Sequence, residues 1–130
     1  MTPAPQQSVS PKRILVAEDE ALVAHTIRMA LAVDSHTVEI AQDGAQALEM
    51  FQAGQYDLVI TDFRMPKMDG LELAEAIKRL CPAKPIILIT AHLEAINARM
   101  GNDSNVDVLL GKPFLMKDLQ AALGKVFPAG

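Results

Sequence analysis

The chain has 130 residues, half of them hydrophobic and 22% charged, which fits one domain with a real core and excludes global disorder. A net charge of −4 argues against a nucleic-acid or anionic-membrane surface, and the longest apolar runs, about five residues, are far short of a membrane span. One cysteine, Cys81, excludes an internal disulfide framework, and the start has no apolar signal-type stretch, so a reducing, cytoplasmic setting is expected.

Residues 1–11, MTPAPQQSVSP, are rich in Pro, Gln and Ser and predict a flexible tail ahead of a domain over 12–127. The run Ile14-Leu15-Val16-Ala17 predicts a first strand, ending in Glu18-Asp19-Glu20. Val23, Ile27, Ala30 and Leu31 then share one face of a helix. Thr37 to Ala41 alternates in polarity and is expected nearer a sheet edge. Asp43 is a candidate N-cap for a helix carrying Ala45, Leu48 and Phe51 on one face, with Gly54 as its stop. Leu58 to Thr61 predicts a third strand that runs directly into Asp62 and the loop Met65-Pro66-Lys67-Met68-Asp69-Gly70. Asp69-Gly70 reads as a turn and helix start, followed by Leu71, Ala74, Ile77 and Leu80 up to Pro82. Ile86 to Thr90 is a fourth strand, and Leu93, Ile96 and Met100 form a thin helical stripe. Val106 to Leu110, interrupted by Asp107, is a fifth strand. Leu119, Ala122, Leu123 and Val126 close the chain, with Asp118 early and Lys125 late as the helix dipole favours.

Strands alternating with helices, with unbroken apolar runs, predict a doubly wound α/β fold with a parallel sheet. Right-handed crossovers bring every strand's C-terminal end to one edge, where ligand sites form in such sheets. That edge collects Glu18, Asp19, Asp62, Thr90 and Lys112. Three carboxylates repel one another unless a cation sits among them, and hard oxygen ligands suit Mg²⁺. Lys112 adds a positive charge, and the Thr90 hydroxyl can donate to an oxyanion. An acidic nucleophile, a divalent ion, a lysine and a hydroxyl are the parts needed for phosphoryl transfer to a carboxylate.

In this order the pieces resemble a receiver domain of two-component response regulators. They are Glu18-Asp19 after strand one, Asp62 with its MPKMDG loop, Thr90-Ala91 after strand four, and Lys112-Pro113-Phe114 after strand five. The resemblance covers about residues 12–127. It implies a flavodoxin-like fold of five βα units with strand order 2-1-3-4-5. It also implies that Asp62 is the phosphoacceptor, fed by a sensor histidine kinase or histidine phosphotransfer protein. Asp19, Asp62 and the backbone carbonyl of Arg64 would ligate Mg²⁺, with Glu18 acting through a metal-bound water. Lys112 would pair with the phosphoryl oxygens, Thr90 would act as the switch hydroxyl, and the Lys112–Pro113 bond would be cis. Arg64 and His92 hold the positions that tune hydrolysis of the acyl phosphate in such domains. An unidentified downstream protein would read the face of the fourth helix, fifth strand and fifth helix, about Leu93 to Lys125. On this reading the chain is a phosphoacceptor rather than an enzyme, and binds neither nucleic acid nor membrane.

Two positions depart from the family pattern. Glu18 stands where many members have Asp, and its longer side chain still reaches a metal-bound water. Leu109 stands three positions before the lysine, where a Tyr or Phe switch residue is common, so the route from phosphorylation to shape change is altered. This departure favours an alternative: a phosphorylation-independent interaction module on the same fold, while a phosphate sink is a further variant of the phosphoacceptor. A haloacid-dehalogenase-type phosphatase would need an acid two residues after Asp62, where Arg64 stands. A flavin or nucleotide site would need a Gly-rich loop after the first strand, and none is there. His25, His36 and His92 lack metal-type spacing; His25 is expected on a helix face and His36 in a turn. Cys81 is expected to pack at a helix end, and Glu20 is read as a helix-start acid.

Overall fold

A computed structural model describes residues 9–100 and 105–128; residues 1–8 of the expected tail lie outside the described residues. Ten elements alternate along the chain: β1 (Arg13–Ala17), α1 (Ala21–Ala32), β2 (Thr37–Ala41), α2 (Gly44–Ala53), β3 (Leu58–Asp62), α3 (Gly70–Leu80), β4 (Ile86–Thr90), α4 (Leu93–Met100), β5 (Val108–Gly111) and α5 (Met116–Val126). All strand pairs are parallel, in the order β2-β1-β3-β4-β5, the flavodoxin-like arrangement expected. Among the described residues no helix is long and apolar enough to cross a membrane.

The apolar runs are unbroken because the central strands are covered on both faces. Leu15, Ala17, Val59 and Leu88 point to one side, against Ala47, Leu73, Ala74, Ile77 and Ile96 of α2, α3 and α4. Ile14, Val16, Leu58, Ile60, Ile87 and Ile89 point to the other, against Ile27 and Leu31 of α1 and Leu119 and Leu123 of α5. Each fully buried Val, Leu or Ile among them contributes about 1.5–3 kcal/mol by leaving water. β2 lies at the edge, and its residues before Ala41 are exposed or half-buried, as its alternation predicts.

Several details differ from the sequence reading. β3 includes Asp62, because its pairing with β4 continues to Asp62 opposite Ile89. β5 starts at Val108, since Asp107 is spent elsewhere: its carboxylate accepts from the Ile86 N–H (2.8 Å) and from Lys78 Nζ (2.9 Å). In α3 the buried line is Gly70, Leu73, Ala74 and Ile77, while Leu80 at the helix end is 53% exposed. In α2 the buried positions are Gly44 and Ala47, with Leu48 and Phe51 half-buried and Ala45 exposed. The small residues let this helix approach its neighbours closely. Asp43 does cap α2, accepting from the Gln46 N–H at 2.7 Å, and Gly54 does close it. His36, expected in a turn, stands between the turn at 33–35 and β2 and is buried, its Nδ1 accepting from the Lys12 N–H at 2.9 Å. Cys81 caps the C-terminal end of α3.

Candidate functional site

The C-terminal ends of β1, β3, β4 and β5 meet at one rim, where Glu18, Asp19, Asp62, Thr90 and Lys112 stand. Glu18 directly follows β1. Its N–H donates to the Ala41 carbonyl at 2.9 Å, so the β1–β2 pairing carries on to the residue that presents the acid. Glu18 is 2% exposed. Its Oε2 accepts from the Glu20 N–H at 3.1 Å, while its Oε1 is buried with no hydrogen-bond partner. Asp62, the last residue of β3, is also buried, and Asp19 is exposed. One carboxylate oxygen from each of Glu18, Asp19 and Asp62 lies within 4.8 Å of the others.

Lys112 reaches into this cluster from the loop after β5. Its Nζ is 2.8 Å from Asp62 Oδ1 and 3.6 Å from Glu18 Oε1. Its backbone N–H donates to the Thr90 carbonyl at 2.8 Å, and the Lys112–Pro113 bond is cis. Burial works against the ammonium, but its hydrogen bond to Asp62 and the charges of Asp62 and Glu18 outweigh that and raise its pKa. Glu18 is pushed up to about 7, chiefly by burial; the Glu20 N–H works against the shift, the Asp62 charge adds to it, and Lys112 offsets part of it. Thr90 is buried, and its Oγ1 accepts from the His92 N–H at 2.9 Å.

The loop after Asp62 is tied back tightly. The Gly70 N–H donates to the Phe63 carbonyl at 2.8 Å. A Cβ on Gly70 would overlap the Asp62 carbonyl oxygen and come within 2.5 Å of Leu88 Cδ1, so only glycine fits between strand and helix. Asp69 then caps α3 reciprocally with Glu72, as its place in the sequence predicts.

These elements enclose a cavity of about 240 Å³ lined by Asp19, Glu20, Asp62, Phe63, Arg64, Thr90, Ala91, His92 and Lys112. Glu18, Asp19, Asp62, Thr90 and Lys112 are thus brought together, and Arg64 and His92 stand at the rim. Leu109 is elsewhere: it pairs with Leu88 in the sheet and packs half-buried against the core under α2, α3 and α4. Two residues escaped the sequence reading. Glu20, read as a helix-start acid, also lines the cavity. Phe63 lines it too and lies under the Arg99 guanidinium of α4, 5.6 Å from the ring centroid. Its position beside Asp62 was the only available signal. A cluster of hard oxygen donors with one buried carboxylate oxygen that accepts no hydrogen bond is compatible with Mg²⁺.

Comparison with known proteins gives a consistent picture. The sequence pattern of the response regulator receiver domain matches residues 14–124. The chain is 34% identical over 113 residues to the response regulator MprA of Mycolicibacterium vanbaalenii, covering 87% of this chain and 49% of that one. It spans about half the length of the curated relatives it matches. Among solved structures it is similar to a response regulator receiver domain protein from Clostridium thermocellum, with a TM-score of 0.81 and 30% identity over 88% of this chain and 93% of that one. It is also similar to the response regulator TrrA of Thermotoga maritima, solved in complex with Mg²⁺-BeF, with a TM-score of 0.77 and 32% identity over 88% and 98% of the two chains.

Proposed function

The chain belongs to the response regulator receiver domain family, and on that premise we propose that it is a phosphoacceptor switch whose acceptor is Asp62, in a domain spanning residues 12–127. The observation that carries this is the 2.8 Å contact between Lys112 Nζ and Asp62 Oδ1, at the mouth of a cavity that also holds Thr90. In the proposed reaction an Asp62 carboxylate oxygen attacks the phosphorus of a phosphohistidine on a partner kinase or phosphotransfer protein. A P–O bond forms as the P–N bond breaks, and the imidazole leaves with the electron pair. Lys112 Nζ then neutralises phosphoryl oxygens in place of the carboxylate oxygen it now holds. The Thr90 hydroxyl exchanges its bond from His92 for one donated to the phosphoryl group. Arg64 and His92 at the rim govern water access to the acyl phosphate. Asp19, Asp62 and the Arg64 carbonyl would hold Mg²⁺, with Glu18 behind a bound water, and the ion would neutralise charge on the transferring group. The resulting shift is read by a protein at the α4–β5–α5 face.

The test is intact mass after incubation with phosphoramidate and Mg²⁺, with a rapid quench. The wild type gains one phosphoryl group; Asp62→Asn, or the wild type with chelator, gains none. A wild type that binds Mg²⁺ yet gains no mass from this donor or from a phosphorylated phosphotransfer protein overturns the reading.

A further inference from the structure

The loop that follows Asp62 is held from a direction the reaction scheme does not use. α2 begins at Gly44, buried, and its first residue meets the backbone of Met68. A Cβ on Gly44 would overlap the Met68 carbonyl oxygen and would stand 2.7 Å from Met68 Cβ and 3.0 Å from its carbonyl carbon. Helix and loop are therefore in contact at main-chain distance, with no side chain between them to absorb a displacement. The neighbouring residues add a second tie. Asp43, the α2 cap, lies 3.6 Å from Lys67 Nζ through its other carboxylate oxygen. Lys67 itself has φ 72°, a left-handed conformation that a non-glycine residue adopts only under constraint. The loop is thus bent to fit α2 and is closed at its far end by the Phe63–Gly70 hydrogen bond.

We propose that the Asp43-Gly44 turn of α2 positions the Arg64–Met68 loop, and so sets how well this loop offers its oxygen to the divalent cation. Gly44 is the positioning residue. The inference rests on the proposed Mg²⁺-dependent phosphoacceptor site and deepens it: α2 has no residue in the cavity, yet it is the surface against which one wall of the site is set. A loop displaced at Met68 carries Arg64 with it, because only Met65, Pro66 and Lys67 lie between them and the Phe63–Gly70 bond prevents the loop from opening outward. The supporting contacts of metal ligands commonly govern affinity in this way.

The experiment is a Mg²⁺ titration on the full chain, paired with the rate of phosphoramidate labelling as a function of Mg²⁺ concentration. Circular dichroism and a thermal melt are recorded for each variant. Gly44→Ala is expected to fold and to need about tenfold more Mg²⁺ for half-saturation. Its labelling rate at saturating Mg²⁺ returns close to the wild-type value, a split that general loosening of the fold does not produce. Asp43→Asn keeps the cap to Gln46 and removes the charge facing Lys67. It is expected to weaken Mg²⁺ binding about twofold at low salt and not at high salt. It carries the test if Gly44→Ala fails to fold. Half-saturation unchanged in the folded variants, with a wild type that binds Mg²⁺, overturns this inference alone. A wild type that binds no Mg²⁺ overturns the underlying reading of the site and this inference with it.

Discussion

Lys112 Nζ and Asp62 Oδ1, 2.8 Å apart, join the end of β5 to the end of β3 across the intervening β4. The pair is mostly buried, with the lysine side chain 22% exposed and the aspartate 8%. Removing one member of such a pair leaves the other without compensation. Lys112→Met is expected to lower metal-free stability by about 2 kcal/mol in urea melts. It is also expected to slow phosphoramidate labelling about 100-fold at saturating Mg²⁺. Labelling at the wild-type rate would remove Lys112 from the reaction.

Glu18 is costly in the metal-free protein, since its Oε1 is buried without a hydrogen bond beside Asp62. Glu18→Gln removes that charge at nearly constant shape. Without metal the variant is expected to be more stable than the wild type by about 1 kcal/mol. Adding Mg²⁺ should close or reverse the gap, because the ion stabilises the wild-type acids more. Paired melts with Mg²⁺ and with chelator test this.

Thr90 holds its hydroxyl on the His92 N–H. Thr90→Val keeps the volume and loses both that acceptor and any donor toward a phosphoryl group, costing about 1 kcal/mol. Asp62 should still accept a phosphoryl group. In amide NMR spectra with Mg²⁺ and beryllofluoride, the shifts over α4 and β5 should largely vanish while those beside Asp62 remain. Undiminished shifts over α4 would show that the hydroxyl is not the reporter.

His36 contributes to the pH dependence of stability. Burial lowers its pKa below the ordinary value of 6.5, with Asp34 opposing and Lys12 assisting. A depressed histidine pKa means that the unfolded chain binds a proton more readily than the native one. This contribution to stability is therefore complete above the ordinary value and is lost as pH falls below it, levelling off below the native pKa. Glu18 titrates with the opposite slope in the same range, so the informative quantity is a difference. His36→Asn, whose Oδ1 can replace Nδ1 as acceptor from Lys12, should gain on the wild type steadily as pH drops from 7 to 5. A parallel pair of pH–stability curves would contradict this.

Asp107 links β4 to the start of β5 at the rim remote from the site. Asp107→Ala leaves the Ile86 N–H, in a fully buried residue, without its side-chain acceptor. The expected loss is about 1–2 kcal/mol, with Mg²⁺ affinity and labelling unchanged. A change in labelling would mean that the two ends of the sheet are coupled.

The fold was legible because the physics that builds it is local. Three of the five apolar runs, in β1, β3 and β4, are buried on both faces, which leaves no polar alternation to confuse them, while β2 at one edge shows its alternation and β5 at the other is only half-buried. The site was legible because parallel topology forces Glu18, Asp62, Thr90 and Lys112 to one rim. What stayed hidden depends on distances between elements. Asp107 looked like a broken strand because its partners Ile86 and Lys78 lie 21 and 29 positions away. Gly44 drew no reading from the sequence because Met68, which it meets, is 24 positions away in the loop after β3. His36 gave no hint of burial because Lys12, its donor, is 24 residues earlier.

The charges of the site are divided along the chain. Glu18 and Asp19 follow β1 and Asp62 ends β3, while Lys112 follows β5. A chain emerging from the ribosome completes its first three strands with all three acids in place and the lysine still unmade. At that stage the rim has the mutual repulsion of three acids without Lys112 between them. Magnesium in the medium should therefore act early, as a folding aid: it should speed refolding of the intact chain, and it should do so less in Asp19→Asn, which begins with one repulsion fewer.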